Sequence, residues 1–237
     1  MASDASGASS WTIKEIGGEI MRTIAFVTQK GGSGKSTLAS SIAVAASEAG
    51  ERVCVIDLDP QASLVSWAKT RECDDILVVG ATPAQLPALV EALVNKGLTL
   101  AIIDTPGAGG DASAAAMREA DLTVIPSRPS IFDLWASART RAALKATGGD
   151  FVFLLNQCPP AQQSARIDNA VAALEEMGGL VSPLVLARVD HQEAARHGLG
   201  VTEINSSGAA AREMRALWIS LNSRLERSKP AASPKAA

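Results

Sequence analysis

The stretch TQKGGSGKST, from Thr28 to Thr37, is the most informative segment of this chain about its fold. A phosphate-binding loop follows the pattern G-x-x-x-x-G-K-[ST], in which glycine stands six residues before the lysine. The letters GKS match the end of that pattern, but Gln29 stands where its first glycine belongs. A second lysine, Lys30, and a pair of glycines come directly after it. The stretch is therefore a phosphate loop of unusual form.

The segments on either side of the loop support this interpretation. The residues RTIAFVT at 22–28 have the β-branched and aromatic character of a buried strand. The residues after the loop have helical spacing and end at Gly50. A turn between a strand and a helix directs backbone N–H groups and the helix dipole at an anion. Lys35 then faces the terminal phosphates, and Ser36 supplies a hydroxyl for Mg²⁺.

Apolar runs alternate with helical patterns along the whole chain. The runs occupy residues 22–28, 52–57, 76–80, 99–104, 122–126, 151–156 and 181–186, and the helical patterns 36–49, 62–72, 84–96, 111–119, 131–146, 164–177 and 208–226. This alternation predicts an α/β fold, with a doubly wound, mostly parallel sheet covered by helices on both faces. Ligands bind such sheets beyond the carboxyl ends of the strands.

Polar side chains stand where these ligands bind. Asp57 and Asp59 follow the second run in VIDLDPQAS, and Asp104 ends the apolar segment of AIIDTPG. An apolar strand that ends in aspartate, downstream of a phosphate loop, is typical of a Walker B strand, whose acid holds Mg²⁺ directly or through water. Asn156 follows the run FVFLL. We expect these side chains to share one edge of the sheet.

Composition limits the classes of protein that this chain can represent. Its 237 residues and 47% hydrophobic content fit one domain with a substantial core. Its net charge of −3 gives no overall positive field of the kind that marks nucleic-acid binders. The sequence has no run of eighteen apolar residues. Its three cysteines have no paired spacing, so we expect a cytoplasmic protein. We predict a flexible extension over 1–20, one domain over 21–227 and a disordered tail over 228–237.

Four motifs together resemble a known family. They are KGGSGKST, DLDPQAS, IIDTPG and IPSRPSIFDLW. In this order they are similar to the ParA/MinD superfamily of deviant Walker A ATPases, and most of all to the short ParA-type partition ATPases. The resemblance runs from about Met21 to the end of the last helical pattern. Ser33 stands where the family more often has valine or alanine, which should not disturb a cradle made of backbone.

The resemblance implies a role for each motif residue. It implies that Lys30 reaches across a homodimer to the partner's ATP, that Asp59 positions the attacking water, and that Lys35 stabilises the transferred phosphate. Asp57, Asp104 and Ser36 belong to the Mg²⁺ shell. Gly107 belongs to the switch that senses the γ-phosphate, and Asn156 reads adenine. The loop that holds ATP comprises Gly31, Gly32, Ser33, Gly34, Lys35, Ser36 and Thr37.

The resemblance also implies a biological role. Short ParA-type proteins form an ATP-sandwich dimer, bind DNA without sequence preference and are reset when a partner stimulates hydrolysis. We therefore expect an association with the nucleoid in the ATP-bound form and a ParB-like or cargo-adaptor activator. Plasmid, chromosome, microcompartment and receptor-cluster cargo all stay open. Twenty small residues before the first strand cannot hold an operator-binding helix-turn-helix domain.

The charge distribution supplies candidates for DNA contacts. Residues 186–237 carry 8 Lys/Arg against 5 Asp/Glu, whereas the rest of the chain is net negative. The candidates are Arg188, Arg196, Arg212, Arg215 and Arg224. Arg188 is the foremost of them, because ARVDHQEAARHGLGVTE resembles the family segment whose arginine contacts DNA. The alternative is a solvated face in which these arginines pair with Asp190, Glu193 and Glu213.

Three other members of the superfamily offer alternative functions. A nitrogenase-reductase-like protein needs cysteines after the Walker B strand, and none occurs between Asp104 and Gln157, so this class is excluded. A MinD-like protein ends in a membrane-binding helix, and an apolar stripe lies near the C-terminus, at Met214, Leu217, Trp218, Leu221 and Leu225. Such a stripe is more often core. A dethiobiotin-synthetase-type ligase generally lacks the lysine at position 30 and the DLDPQ segment.

Overall fold

The computed structural model describes residues 21–160 and 164–228. The predicted extension over 1–20 and nearly all of the predicted tail lie outside these ranges. The described strands are β1 Arg22–Phe26, β2 Val53–Asp57, β3 Ile76–Gly80, β4 Leu100–Asp104, β5 Leu122–Ser127 and β6 Phe151–Leu155. The described helices are α1 Lys35–Glu48, α2 Ser63–Thr70, α3 Leu86–Asn95, α4 Asp111–Glu119, α5 Ile131–Thr147, α6 Ala165–Met177, α7 Asp190–Arg196, α8 Val201–Ile204 and α9 Ala209–Ser228.

The strands form one parallel sheet in the order β3-β2-β4-β1-β5-β6. Alternate residues of the central strands face opposite sides, so that Ile24 and Phe26 pack with α1 while Ala25 packs with α3 and α4. Every residue of β2 and β4 is buried, as expected for strands covered on both faces. The doubly wound α/β prediction is confirmed. The carboxyl end of β1 lies between those of β4 and β5.

The apolar stripe near the C-terminus, from Met214 to Leu225, lies in the hydrophobic core, as the sequence predicts. Its five residues are 4% exposed or less, and they share one hydrophobic cluster with Leu38 and Ile42 of α1. Small residues of α1, such as Ala39 and Ala43, are also buried there and allow α9 to approach closely. Among the described helices, none has both the length and the apolar composition that a membrane span requires.

Two segments differ from the sequence-based prediction. The run at 181–186 is not a strand, although Val181 and Val185 donate hydrogen bonds to the carbonyl groups of Phe153 and Leu155. Pro183 lies between the two donors and has no N–H, so the ladder breaks there. The short helices α7 and α8 were not predicted, because a few residues are too short for a helical period to show.

Candidate nucleotide site

The phosphate loop ends in a helix whose N-terminus is open. Gly34 precedes α1 with φ of 90°, in the left-handed region that glycine adopts without strain. A Cβ atom on Gly34 would lie 2.4 Å from Nδ2 of Asn156, so the position also needs glycine for space. Within the described residues, no side chain caps the first turn of α1. Its unpaired N–H groups, together with the helix dipole, form an anion site.

Lys35 brings a buried positive charge to this anion site. The side chain is 6% exposed, and its Nζ atom lies 3.4 Å from the carbonyl oxygen of Lys30. Burial lowers the pKa of Lys35, whereas the charges of Asp104 and Asp59 raise it. A buried ammonium group of this kind gains most from an anionic partner. The phosphates of a nucleotide would supply that partner.

Asp104 and Ser36 form the polar floor of the site. The Ser36 hydroxyl donates a 2.6 Å hydrogen bond to Oδ2 of Asp104, which is fully buried. Burial raises the pKa of Asp104 to about 7; the charge of Asp57 adds to this shift, while Ser36 and Lys35 oppose it. Oδ1 of Asp104 is buried and has no hydrogen-bond partner among the described residues.

This floor fits a magnesium ion. Mg²⁺ prefers oxygen ligands and is held in nucleotide sites by one or two side chains together with water and phosphate. The unpaired Asp104 oxygen and the adjoining Ser36 hydroxyl are ligands of that kind. The described residues contain no group of three or more acidic, histidine or cysteine side chains that could hold a metal. Protein side chains alone therefore do not form a complete metal site within the described residues.

Asp57 and Asp59 lie beside Asp104 with different surroundings. Asp57 is the register partner of Asp104 in the sheet. Its Oδ1 accepts a hydrogen bond from the Asp59 N–H, and its Oδ2 accepts from Leu64 and Val65 at the start of α2. The metal role predicted for Asp57 stays a prediction, and the structure adds a visible role in anchoring α2. Asp59 is half-buried, and its Oδ1 accepts the Gln61 N–H at 2.9 Å.

The loop after β4 packs onto the phosphate loop. A Cβ atom on Gly107 would lie 2.8 Å from the Cα of Gly31, so the two loops touch through glycine backbone. Such a contact is of the kind through which one loop can follow a shift of the other, and the switch role of Gly107 stays a prediction. Gly31 and Gly32 are exposed, and Lys30 is half-buried.

A cleft of about 350 Å³ adjoins the phosphate loop. It lies beside Asn156, whose Nδ2 donates to the Ser33 carbonyl at 2.8 Å. Gln157, which the sequence analysis missed, donates from Nε2 to the Gly32 carbonyl at 3.1 Å. The two amides thus tie the loop to the end of β6. The lining includes Gly34, Thr37, Leu38, Leu186, Ala187, Arg188, Val189, His191 and Gln192.

The five arginines predicted to contact DNA lie at different places in the fold, and their role in DNA contact stays a prediction. Arg188 borders the cleft at the carboxyl edge of the sheet, whereas Arg224 pairs with Asp150, which precedes β6 at the opposite edge. Each of the five already has a partner. Arg188 pairs with Glu213 at 2.5 Å, Arg196 with Glu193 at 3.4 Å, Arg215 with Glu48 at 3.0 Å and Arg224 with Asp150 at 2.6 Å, while Arg212 donates to the Ser207 carbonyl.

Solved structures share this fold. MinD from Pyrococcus horikoshii, complexed with Mg-ADP, superposes with a TM-score of 0.69 at 20% identity, covering 89% of this chain and 99% of that one. Apo McdA from Cyanothece gives a TM-score of 0.71 at 17% identity, covering 85% of this chain and 100% of that one. At these identities the likeness concerns the fold alone.

Sequence relatives carry the comparison further. The maintenance of carboxysome distribution protein A of Gloeobacter kilaueensis is 32% identical over 198 residues, which are 81% of this chain and 89% of that protein. A probable plasmid-partitioning protein ParA of Thermus thermophilus is 33% identical over 156 residues, 59% of this chain and 46% of that protein. Residues 24–217 match the model of the CobQ/CobB/MinD/ParA nucleotide binding domain. The chain therefore belongs to the ParA/MinD family of nucleotide-binding proteins.

Proposed function

We propose that this protein is a positioning ATPase that dimerises around ATP, binds DNA without sequence preference and is reset by partner-stimulated hydrolysis. One observation carries the proposal. The uncapped start of α1 carries the buried Lys35, and Ser36 in its first turn donates a hydrogen bond to Asp104, one of whose buried oxygens has no partner among the described residues. In the described part of the chain, the helix N-terminus and Lys35 lack an anionic partner, and the Asp104 oxygen lacks a cationic one. A nucleotide phosphate and a divalent cation would supply both partners together.

The residues around the phosphates divide the work of hydrolysis. The N–H groups of the loop and of α1 hold the β- and γ-phosphates, and Lys35 offsets their charge. Ser36 and Asp104 would hold Mg²⁺, and Asp57 would orient its shell; the ion, when bound, neutralises charge that develops on the phosphates. Asp59 accepts a hydrogen bond from the water that attacks. Transfer to water depends on in-line geometry more than on covalent chemistry, which suits these parts.

Lys30 gives ATP a second task as the link between two subunits. Its ammonium group gains little from its own loop, which already contains Lys35. A γ-phosphate offered by a second subunit supplies a full counter-charge and a charge-assisted hydrogen bond. Dimerisation then requires ATP rather than ADP, because ADP lacks that phosphate. The contact between Gly107 and Gly31 would transmit its presence or loss to the switch loop.

The relatives support a positioning role without fixing its cargo. One relative bears a name that assigns it to carboxysome distribution, and another is a probable plasmid-partitioning protein. We propose that this protein is cytoplasmic, associates with the nucleoid, and positions a large cargo such as a plasmid or a protein assembly. A ParB-like or adaptor protein would stimulate its hydrolysis. Nucleic acid and protein assemblies both stay open as the cargo, and the neighbouring gene is the most direct guide to its identity.

Two other members of the superfamily receive less support. The stripe that motivated the MinD-like membrane alternative is buried against α1, which leaves no apolar stripe for a bilayer on that face of α9. The ligase alternative requires a carboxylate substrate, whereas the positioning ATPase hydrolyses ATP without one. The described structure offers Lys30 beside the phosphate loop, as a dimerising ATPase needs.

Sedimentation and phosphate release test the proposal together. Wild-type protein with Mg²⁺ should sediment as a dimer in ATP and as a monomer in ADP. It should release phosphate slowly with no organic acid present, and faster when the activator is added. Phosphate release that depends on an added carboxylate substrate would favour the ligase instead. Absence of ATP binding at millimolar nucleotide would reject the nucleotide site altogether.

A further inference from the structure

The first turn of α5 presents an unusual apolar surface. Ile131, Phe132 and Trp135 are 54%, 66% and 57% exposed, and we refer to these three side chains as the α5 patch. Phe132 and Trp135 already contact each other edge to face, with ring centroids 5.6 Å apart. The opposite side of α5, with Ser137, Thr140 and Leu144, is buried. An apolar patch of clustered side chains on a monomer is often functional.

The α5 patch borders the phosphate loop. Since β5 is the neighbour of β1 in a parallel sheet, the turn that leads into α5 lies beside the phosphate loop. Ser130 and Arg128 fix the start of α5 by hydrogen bonds to Asp133, at 2.5 Å and 2.9 Å. Burial raises the pKa of Asp133, but these hydrogen bonds and the charges of Arg128 and Lys30 bring it below its usual value. Lys30 thus lies within electrostatic reach of the same turn.

We propose that the α5 patch packs against a second copy of this chain, as the apolar part of the ATP-bound dimer interface. The inference rests on the dimerisation proposed above. Around the loop, that interface consists of glycine backbone, lysine and phosphate, which provide charge and geometry but little apolar burial. In a two-fold dimer the patch occurs twice, once on each side of the axis. It therefore supplies the apolar component that those groups lack.

The size of the α5 patch favours a second copy over a separate docking partner. Aromatic side chains present about 150–250 Å² each, so at these exposures the patch offers on the order of 350 Å². A stable interface buries about 800 Å² on each partner. The patch is too small to hold a partner by itself. Joined to the adjacent phosphate-loop face, it extends a surface that already faces the second subunit in the proposed dimer.

Exposed apolar residues elsewhere provide a matched control. Ile219 on α9 is 64% exposed, and α9 packs on α1 within the C-terminal cluster. The test compares wild type, a Phe132→Ser/Trp135→Ser double variant and Ile219→Ser by sedimentation velocity over a range of concentrations, with Mg²⁺ and a non-hydrolysable ATP analogue. Calorimetry at a concentration below dimerisation reports nucleotide affinity of the monomer, and thermal melting reports folding.

We expect the double variant to fold, to bind the analogue within about twofold of wild type and to dimerise at least tenfold more weakly. Ile219→Ser should dimerise like wild type. Acrylamide quenching assigned to Trp135, from the difference between wild type and Trp135→Phe, should fall when the analogue is added. If the double variant dimerises as wild type does, the α5 patch is not part of the dimer interface, whatever its response to DNA, vesicles or an activator. The proposed dimerisation itself would still stand. A wild type that stays monomeric overturns the proposed dimerisation together with the role of the α5 patch.

Discussion

The Ser36 hydroxyl donates a 2.6 Å hydrogen bond to one oxygen of Asp104, and the other oxygen of that buried carboxylate has no partner among the described residues. Buried carboxylate oxygens are seldom left unpaired, since desolvation without a hydrogen bond is costly. Ser36 lies in the first turn of α1 and Asp104 at the end of β4, so the two side chains place oxygen atoms where the proposed cation would bind.

The charge of Lys35 should determine ATP affinity. Lys35→Ala removes a buried ammonium group that faces the phosphates, and losing a charged hydrogen-bond donor costs about 2–3 kcal/mol. We expect ATP to bind roughly a hundredfold more weakly, with the fold retained. Calorimetry with Mg-ATP measures the effect, and Lys69→Ala, at an exposed position on α2, is the control. Equal affinity in Lys35→Ala and wild type would refute the assignment of the loop.

Replacement of Asp104 should weaken the binding of magnesium at the site. Asp104→Asn keeps the size of the side chain and an acceptor for Ser36 but removes the negative charge. We expect ATP hydrolysis to fall strongly and its dependence on Mg²⁺ concentration to shift to higher values. Phosphate release measured across a magnesium titration tests this. Asp75→Asn, at an exposed position before β3, serves as the control. An unchanged magnesium dependence would move the metal role to another acid.

Asp59 should affect turnover more than binding. Asp59→Ala leaves Lys35, Ser36 and Asp104 in place, so ATP should still bind and the dimer should persist. Loss of a group that positions or deprotonates water costs on the order of a hundredfold in rate. Single-turnover hydrolysis, compared with ATP affinity, separates the two effects. If hydrolysis were unchanged, the role would pass to Asp57 or Asp104.

DNA binding should require ATP and should involve Arg188, at the carboxyl ends of the strands. Arg188 borders the cleft at the carboxyl ends of the strands and Arg224 pairs with Asp150 just before β6, so the contributions of the two residues can be measured separately. We expect Arg188→Ala, which removes one charge from each subunit, to lower the log–log salt slope of binding to long duplex DNA by about two units for the dimer, and Arg224→Ala to leave it unchanged. ATP affinity must be measured alongside, because Arg188 borders the nucleotide cleft. The opposite pattern would place the DNA surface at the amino edge.

Local sequence predicted those parts of the fold that local rules govern. Buried strands such as β2 and β4, the glycine turn at Gly34 and the acids at strand ends follow from periodicity and backbone chemistry. The run at 181–186 was predicted as a strand and is not one, because Pro183 interrupts its donors to β6. Periodicity counts apolar residues and does not register a missing N–H.

The parts of the site that were missed depend on distant contacts. The wall of the cleft at 186–192 belongs to a segment with no strong pattern, and only the folded chain brings it to Asn156. The pairing of Arg188 with Glu213 joins residues 25 positions apart, so net charge along the sequence could not distinguish it from an unpaired basic surface. The ion pair with Glu213 is the alternative to DNA contact that the sequence predicts for Arg188.

In the proposed dimer ATP joins two subunits through Lys30, and sedimentation velocity of Lys30→Ala is the sharpest test of this link. The variant keeps Lys35 and the open start of α1, so it should bind Mg-ATP with an affinity close to that of wild type. Lys145→Ala, at an exposed position in the last turn of α5, controls for the loss of one charge. With Mg-ATP, we predict that wild type and Lys145→Ala sediment as dimers and that Lys30→Ala sediments as an ATP-bound monomer. A Lys30→Ala variant that dimerises with ATP as readily as wild type would contradict the account.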